Sequence, residues 1–240
     1  MGIVKGETTT LYGQQNKNRL TFALILIILL TTTLLTTSGE QTEPPAISFT
    51  WAIFYKTSDN SINTIDYEQN TIVLSQDNEL KIFLQHGRDT YLYLFLHDAE
   101  GDLYLFYPTF FDDFDSPVKP EKSVYIPENL EWFGFEGTGR EQFYLIASKE
   151  RLTDLETYTE TYQKAFYNRK SDEETVKEAK QKVIDEIRAL RIDHFALINK
   201  AKGDVLLVAG EFRGLDKTLE FPAQHINAEV FYARTIRIEH

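Results

Sequence analysis

The sequence predicts an α+β domain built mainly on antiparallel β-sheet in a sandwich-like arrangement, with a pair of helices inserted between strands. Short aromatic and β-branched runs recur from residue 49 onward, and aromatic residues, which favour strands, make up 13% of the chain. Two amphipathic stretches follow one another between residues 153 and 190. They interrupt the strands instead of alternating with them, which favours an α+β arrangement over a Rossmann or barrel α/β fold.

The first strands are predicted by apolar runs that end at turn residues. Phe49–Tyr55 is the first such run. Ile72–Leu74 and Leu80–Leu84 flank the sequence Ser75-Gln76-Asp77-Asn78, whose side chains are typical of turns.

The most distinct hairpin joins Thr90–His97 to Asp102–Tyr107 through a turn that ends in Gly101, a residue able to adopt positive φ. In its first strand, Tyr91, Tyr93 and Phe95 alternate with Leu92, Leu94 and Leu96. A strand that is apolar on both faces is usually central, with layers above and below it. Further short strands are predicted at Ser123–Ile126, Glu131–Phe135 and Gln142–Ser148.

Two consecutive helices are predicted next. Thr153 and Glu156 have the spacing of a capping box, and Ser171 and Glu174 repeat it after a break at residues 168–170. The second helix carries an apolar stripe at helical spacing: Val176, Ala179, Val183, Ile187 and Leu190. Strands then resume at His194–Asn199, at Val205–Ala209 after a turn at Lys202-Gly203-Asp204, and at Glu229–Glu239.

An uncharged segment near the start predicts membrane targeting. Residues 20–37 carry no charge, Lys17 and Arg19 precede them, and Glu40 and Glu43 follow. The positive-inside rule therefore keeps residues 1–19 in the cytoplasm and exports the remainder. Residues 20–37 serve either as the anchor of a single-pass membrane protein or as a signal peptide that is cleaved before secretion. We favour the anchor, because the A-x-A pattern of cleavage sites is missing.

Composition limits the partners of the exported part. Residues 38–47 contain a Pro-Pro pair and are predicted to form a spacer, which leaves residues 48–240 as one extracytoplasmic β-rich domain. The chain has no cysteine, which excludes disulfides, thiolate metal sites and a cysteine nucleophile. Residues 40–240 hold 22 basic against 36 acidic residues, so we expect no nucleic-acid partner.

The middle of the chain resembles a bacterial family of unknown function. "YLYLFLHDAEGDLYLFYP" places an acid-Gly turn between two aromatic strands, "VYIP" follows, and "FGFEGTGREQFYLIAS" leads from a Gly-Arg-Glu turn into a strand. This order, over about residues 80–155, resembles domain of unknown function family 4384, and the terminal "FYARTIRIEH" is similar to the ends of some members. The resemblance implies an exported or envelope-associated protein, and it supplies no catalytic residues.

The loop that follows Pro108 is the first candidate for a binding site. Three aromatic and three acidic residues share it: Phe110, Phe111, Asp112, Asp113, Phe114 and Asp115. One interpretation is an exposed recognition loop whose rings and carboxylates bind a cationic partner or calcium. The other is a connection whose phenylalanines anchor it to the core while the aspartates remain in water.

The turn that contains Asp98, Glu100 and Asp102 is the second candidate. Alternating acids suit a hard cation, yet turns also select Asp and Gly for local hydrogen bonding, and the EF-hand pattern is absent. We therefore predict plain turn chemistry, with no metal and no cofactor. The five histidines likewise show no short metal-binding spacing.

Two further patterns have a structural and a functional interpretation. The aromatic set of the hairpin would stack on sugar rings if it were exposed, and we favour sheet packing instead: Tyr91, Tyr93, Phe95, Tyr104 and Phe106. The sequence Gly137-Thr138-Gly139-Arg140-Glu141 lacks a following GK[ST] and a helix, so we interpret it as a hairpin turn and not as a phosphate cradle.

We expect a membrane-anchored extracytoplasmic binding or accessory module for an envelope protein, peptide or glycan, without enzymatic activity. One alternative is an envelope hydrolase that uses His97 with Asp98, or a carboxylate pair such as Glu131 and Glu141. The other is a structural module that self-associates through an exposed strand or the helical pair. The ligand and the oligomeric state stay open at this point.

Overall fold

The structure is a computed structural model that describes residues 47–87, 90–115, 122–128, 131–135, 137–168, 170–211 and 218–240. The predicted cytoplasmic segment, the anchor or signal segment and most of the spacer lie outside these residues. Within them, no helix combines the length and the apolar character that crossing a bilayer requires.

The described strands form two sheets. The larger sheet has the order β10-β11-β1-β4-β7, with β2 beside β1 and β8 beside β4. Its strands are β1 (Ile47–Lys56), β2 (Ile62–Thr64), β4 (Glu79–His86), β7 (Ser123–Ile126), β8 (Phe133–Gly134), β10 (Lys202–Glu211) and β11 (Thr218–Ala228).

The smaller sheet has the order β3-β12-β9-β5-β6. Its strands are β3 (Thr71–Val73), β5 (Tyr91–His97), β6 (Leu103–Tyr107), β9 (Arg140–Ser148) and β12 (Phe231–Glu239). The pairs are antiparallel except for β3 with β12, which is parallel. The predicted α+β class with mainly antiparallel sheet is confirmed.

The described helices follow the strand β9. They are α1 (Thr153–Tyr167), α2 (Glu173–Asp193) and the short α3 (Phe195–Ile198), and a 3-10 helix (Phe111–Asp115) precedes β7. The predicted apolar stripe of the second helix is confirmed, because Ala179, Val183 and Ile187 are buried.

The core consists of layers that follow from the alternation of side chains along β5. Leu92 and Leu94 belong to the cluster between the two sheets, together with residues such as Trp51 and Leu84. Tyr93 and Phe95 belong to a second cluster, between the smaller sheet and helices α1 and α2. The prediction that this strand has a layer on each face is therefore confirmed.

Two strand predictions near the C-terminus are wrong. Residues 194–199 continue the helical path, and His194 donates its backbone N–H to the carbonyl of Leu190. Residues 202–204 are not a turn but the start of β10, which pairs along its length with β11. The sequence pattern did not predict β11, because Pro222 in its middle cannot donate to the ladder and argues against a strand.

The predicted helix caps are also wrong in detail. No side-chain hydrogen bond caps α1, and its predicted capping residue Glu156 is turned into the core instead. At α2 the capping residue is Asp172, one position after the predicted Ser171, and its side chain accepts from the Thr175 amide at 2.8 Å. Although the cap lies one residue later than predicted, it serves the same purpose, because it gives a hydrogen-bond acceptor to a free backbone amide of the first helical turn.

A buried histidine links the sheets. His86 is 2% exposed, its Nδ1 donates to the Thr90 carbonyl at 3.2 Å, and its Nε2 lies 2.7 Å from the Tyr107 hydroxyl. Because the carbonyl can only accept, the proton is on Nδ1, and Nε2 accepts from the hydroxyl of Tyr107. Burial lowers the pKa of His86 to about 4, so the ring is neutral near pH 7.

Candidate functional site

A cleft of about 270 Å³ lies between strands of the larger and the smaller sheet. Its lining comes from both sheets and from the turn between β5 and β6. Apolar and aromatic residues form most of the wall: Leu80, Leu96, Tyr104, Phe133, Phe135 and Phe143. Three acids complete it: Asp98, Glu100 and Glu141.

Aromatic rings make up one wall of the cleft. Phe133 and Phe135 are separated by Gly134, so strand alternation puts both rings on one face. The Phe133 ring is stacked on Phe106 at a centroid separation of 4.8 Å, and the Phe135 ring on His240 at 4.1 Å. These contacts hold the rings in place at the cleft.

Glu141 is the most buried of the three acids. Its side chain is 12% exposed, and its Oε1 lies 3.3 Å from Nε2 of His240. Its Oε2 is buried and has no hydrogen-bond partner among the described residues. Burial raises the pKa of Glu141 and the charge of Asp98 adds to the increase, whereas His240 and the backbone N–H of Ala99 oppose it. A buried carboxylate oxygen needs a donor, which a water or a ligand group in the cleft would supply.

The hydrogen bonds of His240 determine the proton count of the pair. Its Nδ1 lies 3.0 Å from the Gly137 carbonyl oxygen, which can only accept, so Nδ1 carries a proton. The contact between Nε2 and Glu141 then needs a second proton between the two groups. Either His240 is an imidazolium beside a Glu141 carboxylate, or His240 is neutral beside a Glu141 carboxylic acid. Both forms hold one proton more than neutral His240 beside ionised Glu141.

Backbone contacts fix this corner of the cleft. Gly139 and His240 exchange two backbone hydrogen bonds, at 3.0 and 3.1 Å. A Cβ on Gly139 would lie 2.4 Å from the Cβ of Ala99, so only glycine allows this loop to lie against the β5–β6 turn. Gly137, with a φ of 77°, also requires glycine.

This geometry corrects the interpretation of residues 137–141. They do not form a hairpin turn, because β8 pairs with the larger sheet and β9 with the smaller one. The segment instead crosses between the sheets and delivers Glu141 to the cleft. Arg140 does not pair with Glu141; it binds Glu239, its cross-strand neighbour, at 2.6 Å.

The three acids of the predicted turn have different surroundings. The Asp98 carboxylate accepts from the Asp102 amide at 2.6 Å, and Gly101 has a φ of 88°, which is the predicted turn chemistry. Asp102 lies 3.4 Å from Lys180 of α2, and Glu100 is exposed at the rim of the cleft. Among the described residues, no group of three or more acids or histidines is arranged to hold a metal ion.

The loop after Pro108 is anchored by two of its rings. Phe111 and Phe114 are 5% and 6% exposed and pack in the cluster under the helices, whereas Phe110 is 69% exposed. Asp112 and Asp113 face solvent. The structure therefore matches the anchoring interpretation for two phenylalanines, and the predicted role of the loop in recognition stays a prediction.

A buried ion pair supports the same loop. Glu156 accepts from the Tyr93 hydroxyl at 2.7 Å and pairs with Arg151 at 2.5 Å. The Arg151 guanidinium lies 5.8 Å from the ring centroid of Phe114. The side chains of Glu156 and Arg151 are 7% and 31% exposed, so Arg151 is the member that reaches water.

Of the residues of the predicted hydrolase, Asp98 and Glu141 line the cleft, whereas His97 and Glu131 are not among its described lining residues. Leu96 lines the cleft, so strand alternation turns its neighbour His97 to the other face of the smaller sheet. Glu131 is exposed and is absent from the described lining. The hydrolase hypothesis stays a prediction.

The cleft and the contact between Glu141 and His240 were not predicted from the sequence. Glu141 was considered only in a turn and as half of a carboxylate pair, and His240 only as a histidine without metal spacing. The strand predicted at Glu131–Phe135, which contains β8, was the one local indication of this site, because it placed the rings of Phe133 and Phe135 in a strand.

A comparison with family models places most of this site in a recognised domain. Residues 73–151 match the family described as Domain of unknown function (DUF4384), which confirms the resemblance in the middle of the chain. This span contains every lining residue named above, while His240 lies outside it. No match was found among curated proteins or among solved structures.

Proposed function

We propose that this chain, which carries a DUF4384 domain over residues 73–151, is a membrane-anchored binding module that takes an envelope protein, peptide or glycan into its cleft. Residues 1–19 would remain in the cytoplasm, residues 20–37 would span the membrane, and the domain from residue 48 would face outward. Cleavage after residues 20–37 and secretion is the alternative fate.

The location is supported by the charge pattern of the first 43 residues. Lys17 and Arg19 precede the uncharged stretch, and Glu40 and Glu43 follow it. This asymmetry favours export of the C-terminal part. Fractionation of cells that express the full chain tests it: the intact protein should sediment with membranes and resist extraction by high salt, and an intact protein found in the cytosol would contradict the location.

The observation that carries the binding role is the composition of the cleft. It combines apolar walls, fixed rings and a carboxylate whose Oε2 has no donor, which is typical of ligand sites: mostly apolar, with a few placed polar groups.

The experiment is a capture of partners from envelope extract with matched variants of the full chain. Glu141→Gln and Phe133→Ala change the cleft, and Glu150→Gln removes an exposed carboxylate outside it. We expect both cleft variants to lose partners that the wild type and Glu150→Gln retain.

A variant of the loop at residues 110–115 lets the same experiment distinguish binding at the cleft from binding at the loop. Replacing Asp112, Asp113 and Asp115 with alanine should leave the partners unchanged if the cleft is the binding site. Loss of partners in this variant alone would transfer the function to the loop, and unchanged partners in both cleft variants would refute the cleft.

A second candidate function, self-association, is favoured by the edge strand β10. Val205, Leu206 and Leu207 are 60%, 45% and 72% exposed, and the described residues place no strand on the edge of β10 opposite β11. An exposed apolar edge can pair with the same edge of a second copy. Light scattering should then show a dimer that Leu206→Lys abolishes, and a monomer in the wild type at all concentrations would refute this function.

A further inference from the structure

We infer that the group bound in the cleft is a single organic cation, the ammonium of a lysine or the guanidinium of an arginine on a partner peptide, and that it binds Glu141 in exchange for the proton shared with His240. This inference specifies the ligand class of the proposed function and rests on it. Three independent observations support it: charge, aromatic surface and the proton count of the pair.

The charge of the cleft is negative. Asp98, Glu100 and Glu141 line it, and no lysine or arginine is among its described lining residues. Tyr104 reports this field: burial raises its pKa, and the charges of nearby acids, with Asp98 first among them, raise it further. A phosphate or carboxylate ligand would be repelled here, and a cation would be attracted.

The nearest basic side chain in sequence does not neutralise the cleft. Arg140 is the neighbour of Glu141 on β9, so strand alternation turns it to the opposite face of the sheet. There it is paired with Glu239 at 2.6 Å. Within the described lining, the proton that Glu141 shares with His240 is therefore the positive charge that opposes the three acids.

The aromatic wall suits the same ligand. Tyr104, Phe133 and Phe135 line the cleft together with the three acids, and a cation over an aromatic face is attracted by the ring quadrupole. The domain already uses such contacts, with Lys56 and Lys81 lying 5.3 and 5.5 Å from the Trp132 ring. A volume of about 270 Å³ is small beside the roughly 300–1,000 Å³ of sites for drug-sized ligands, so it fits one side chain.

The proton held between Glu141 and His240 is the one that the bound cation replaces. Nδ1 of His240 donates to the Gly137 carbonyl, and one additional proton lies between Nε2 and Glu141. When a cation binds, its positive charge replaces the shared proton as the partner of the Glu141 carboxylate. The shared proton is released to solvent, and His240 stays neutral with its proton on Nδ1. One cation is bound and one proton is released, so the charge of the cleft is unchanged and affinity must increase with pH.

The test is calorimetry on the full chain in detergent, with three peptides of the form Gly-X-Gly, where X is arginine, lysine or citrulline. Citrulline has the shape of arginine without its charge. We expect the arginine and lysine peptides to bind at least about tenfold more tightly than the citrulline peptide, and affinity to increase with pH over the range in which the free pair loses its proton. Titration in two buffers of different ionisation enthalpy should show release of close to one proton per peptide at the acidic end of that range.

Two variants separate this exchange from a general loss of structure. Glu141→Gln should weaken the arginine peptide at least about tenfold and remove proton release, while Glu150→Gln leaves both unchanged. His240→Phe keeps a ring for the stacking on Phe135 but cannot share a proton, so it should bind with little pH dependence in this range. Equal thermal midpoints of the variants and wild type show that each is folded.

The outcomes distinguish the ligand class from the function. Equal binding of the arginine and citrulline peptides, or cation binding without proton release, overturns the inference. If a neutral disaccharide protects a photoreactive group placed at Phe133 while the arginine peptide does not, the ligand class is wrong and the cleft remains a binding site. If neither ligand protects it and Glu141→Gln leaves the envelope partners unchanged, the inference and the proposed function both fail.

Discussion

Truncation of Phe114 should destabilise the domain strongly, whereas truncation of its neighbour Phe110 should not. The Phe114 ring is 6% exposed, lies edge-on to Tyr91 and Tyr93 at centroid separations of 5.1 and 5.3 Å, and is covered by Arg151. Replacing a buried phenylalanine with alanine costs about 3–5 kcal/mol. We take about 3 kcal/mol, because the ring belongs to a short surface helix that can partly close the cavity.

Phe110→Ala is the matched control. Its ring is 69% exposed and belongs to the same loop, so the variant should stay within about 0.5 kcal/mol of the wild type. Urea unfolding of a fragment that begins at Pro45, where the compact unit starts, measures both variants. For a domain of this size, 3 kcal/mol corresponds to a decrease in Tm of about 6–12 °C. Equal midpoints for the two variants would refute the anchoring role of Phe114.

Three further changes test the interior, each by urea unfolding of the same fragment. Glu156→Ala removes the buried carboxylate that pairs with Arg151 and accepts from Tyr93, and it should cost about 3 kcal/mol, the lower end for a broken buried pair because Arg151 is partly exposed; a cost below 1 kcal/mol would contradict this. His86 has a pKa of about 4 in the folded protein, below the value near 6.5 in the unfolded chain. Its contribution to the free energy of unfolding is therefore complete above pH 6.5 and decreases by about 3 kcal/mol as pH falls toward 4. His86→Phe should flatten that dependence, and an unchanged slope would contradict it. Gly139→Ala places a Cβ 2.4 Å from another Cβ and should cost about 1–3 kcal/mol, whereas Gly134→Ala, with open space around it, should cost less than half as much.

The strand pattern of the middle of the chain was predictable because its signals are local. The β5–β6 hairpin has a turn that ends in Gly101, and its first strand alternates between two apolar sets, which predicted the layer on each face. The stripe of α2 was equally direct, since its buried residues recur at helical spacing.

The errors occurred where contacts distant in sequence override local preference. Residues 194–199 have strand-like residues, yet His194 stacks on Phe231 at 4.2 Å and the segment stays helical. Glu156 has the spacing of a capping residue, but the hydroxyl of Tyr93 and the guanidinium of Arg151 offer it stronger partners in the core.

The cleft could not be predicted from the sequence for the same reason. Glu141 and His240 are separated by 98 residues and meet only because β9 and β12 pair in register up to Arg140 and Glu239. Phe133 and Phe135 reach the site from the larger sheet, through a two-residue strand on β4. Local patterns give the residue types of these elements but not the pairing of distant strands that brings them to one cleft.

Photocrosslinking in intact cells tests the binding role of the cleft most directly. A photoreactive phenylalanine analogue is placed at Phe133, in the cleft wall, or at Phe110, the exposed ring of the loop. We expect a crosslinked envelope partner from position 133 that Glu141→Gln removes, and none from position 110. Crosslinks from position 110 alone would contradict it.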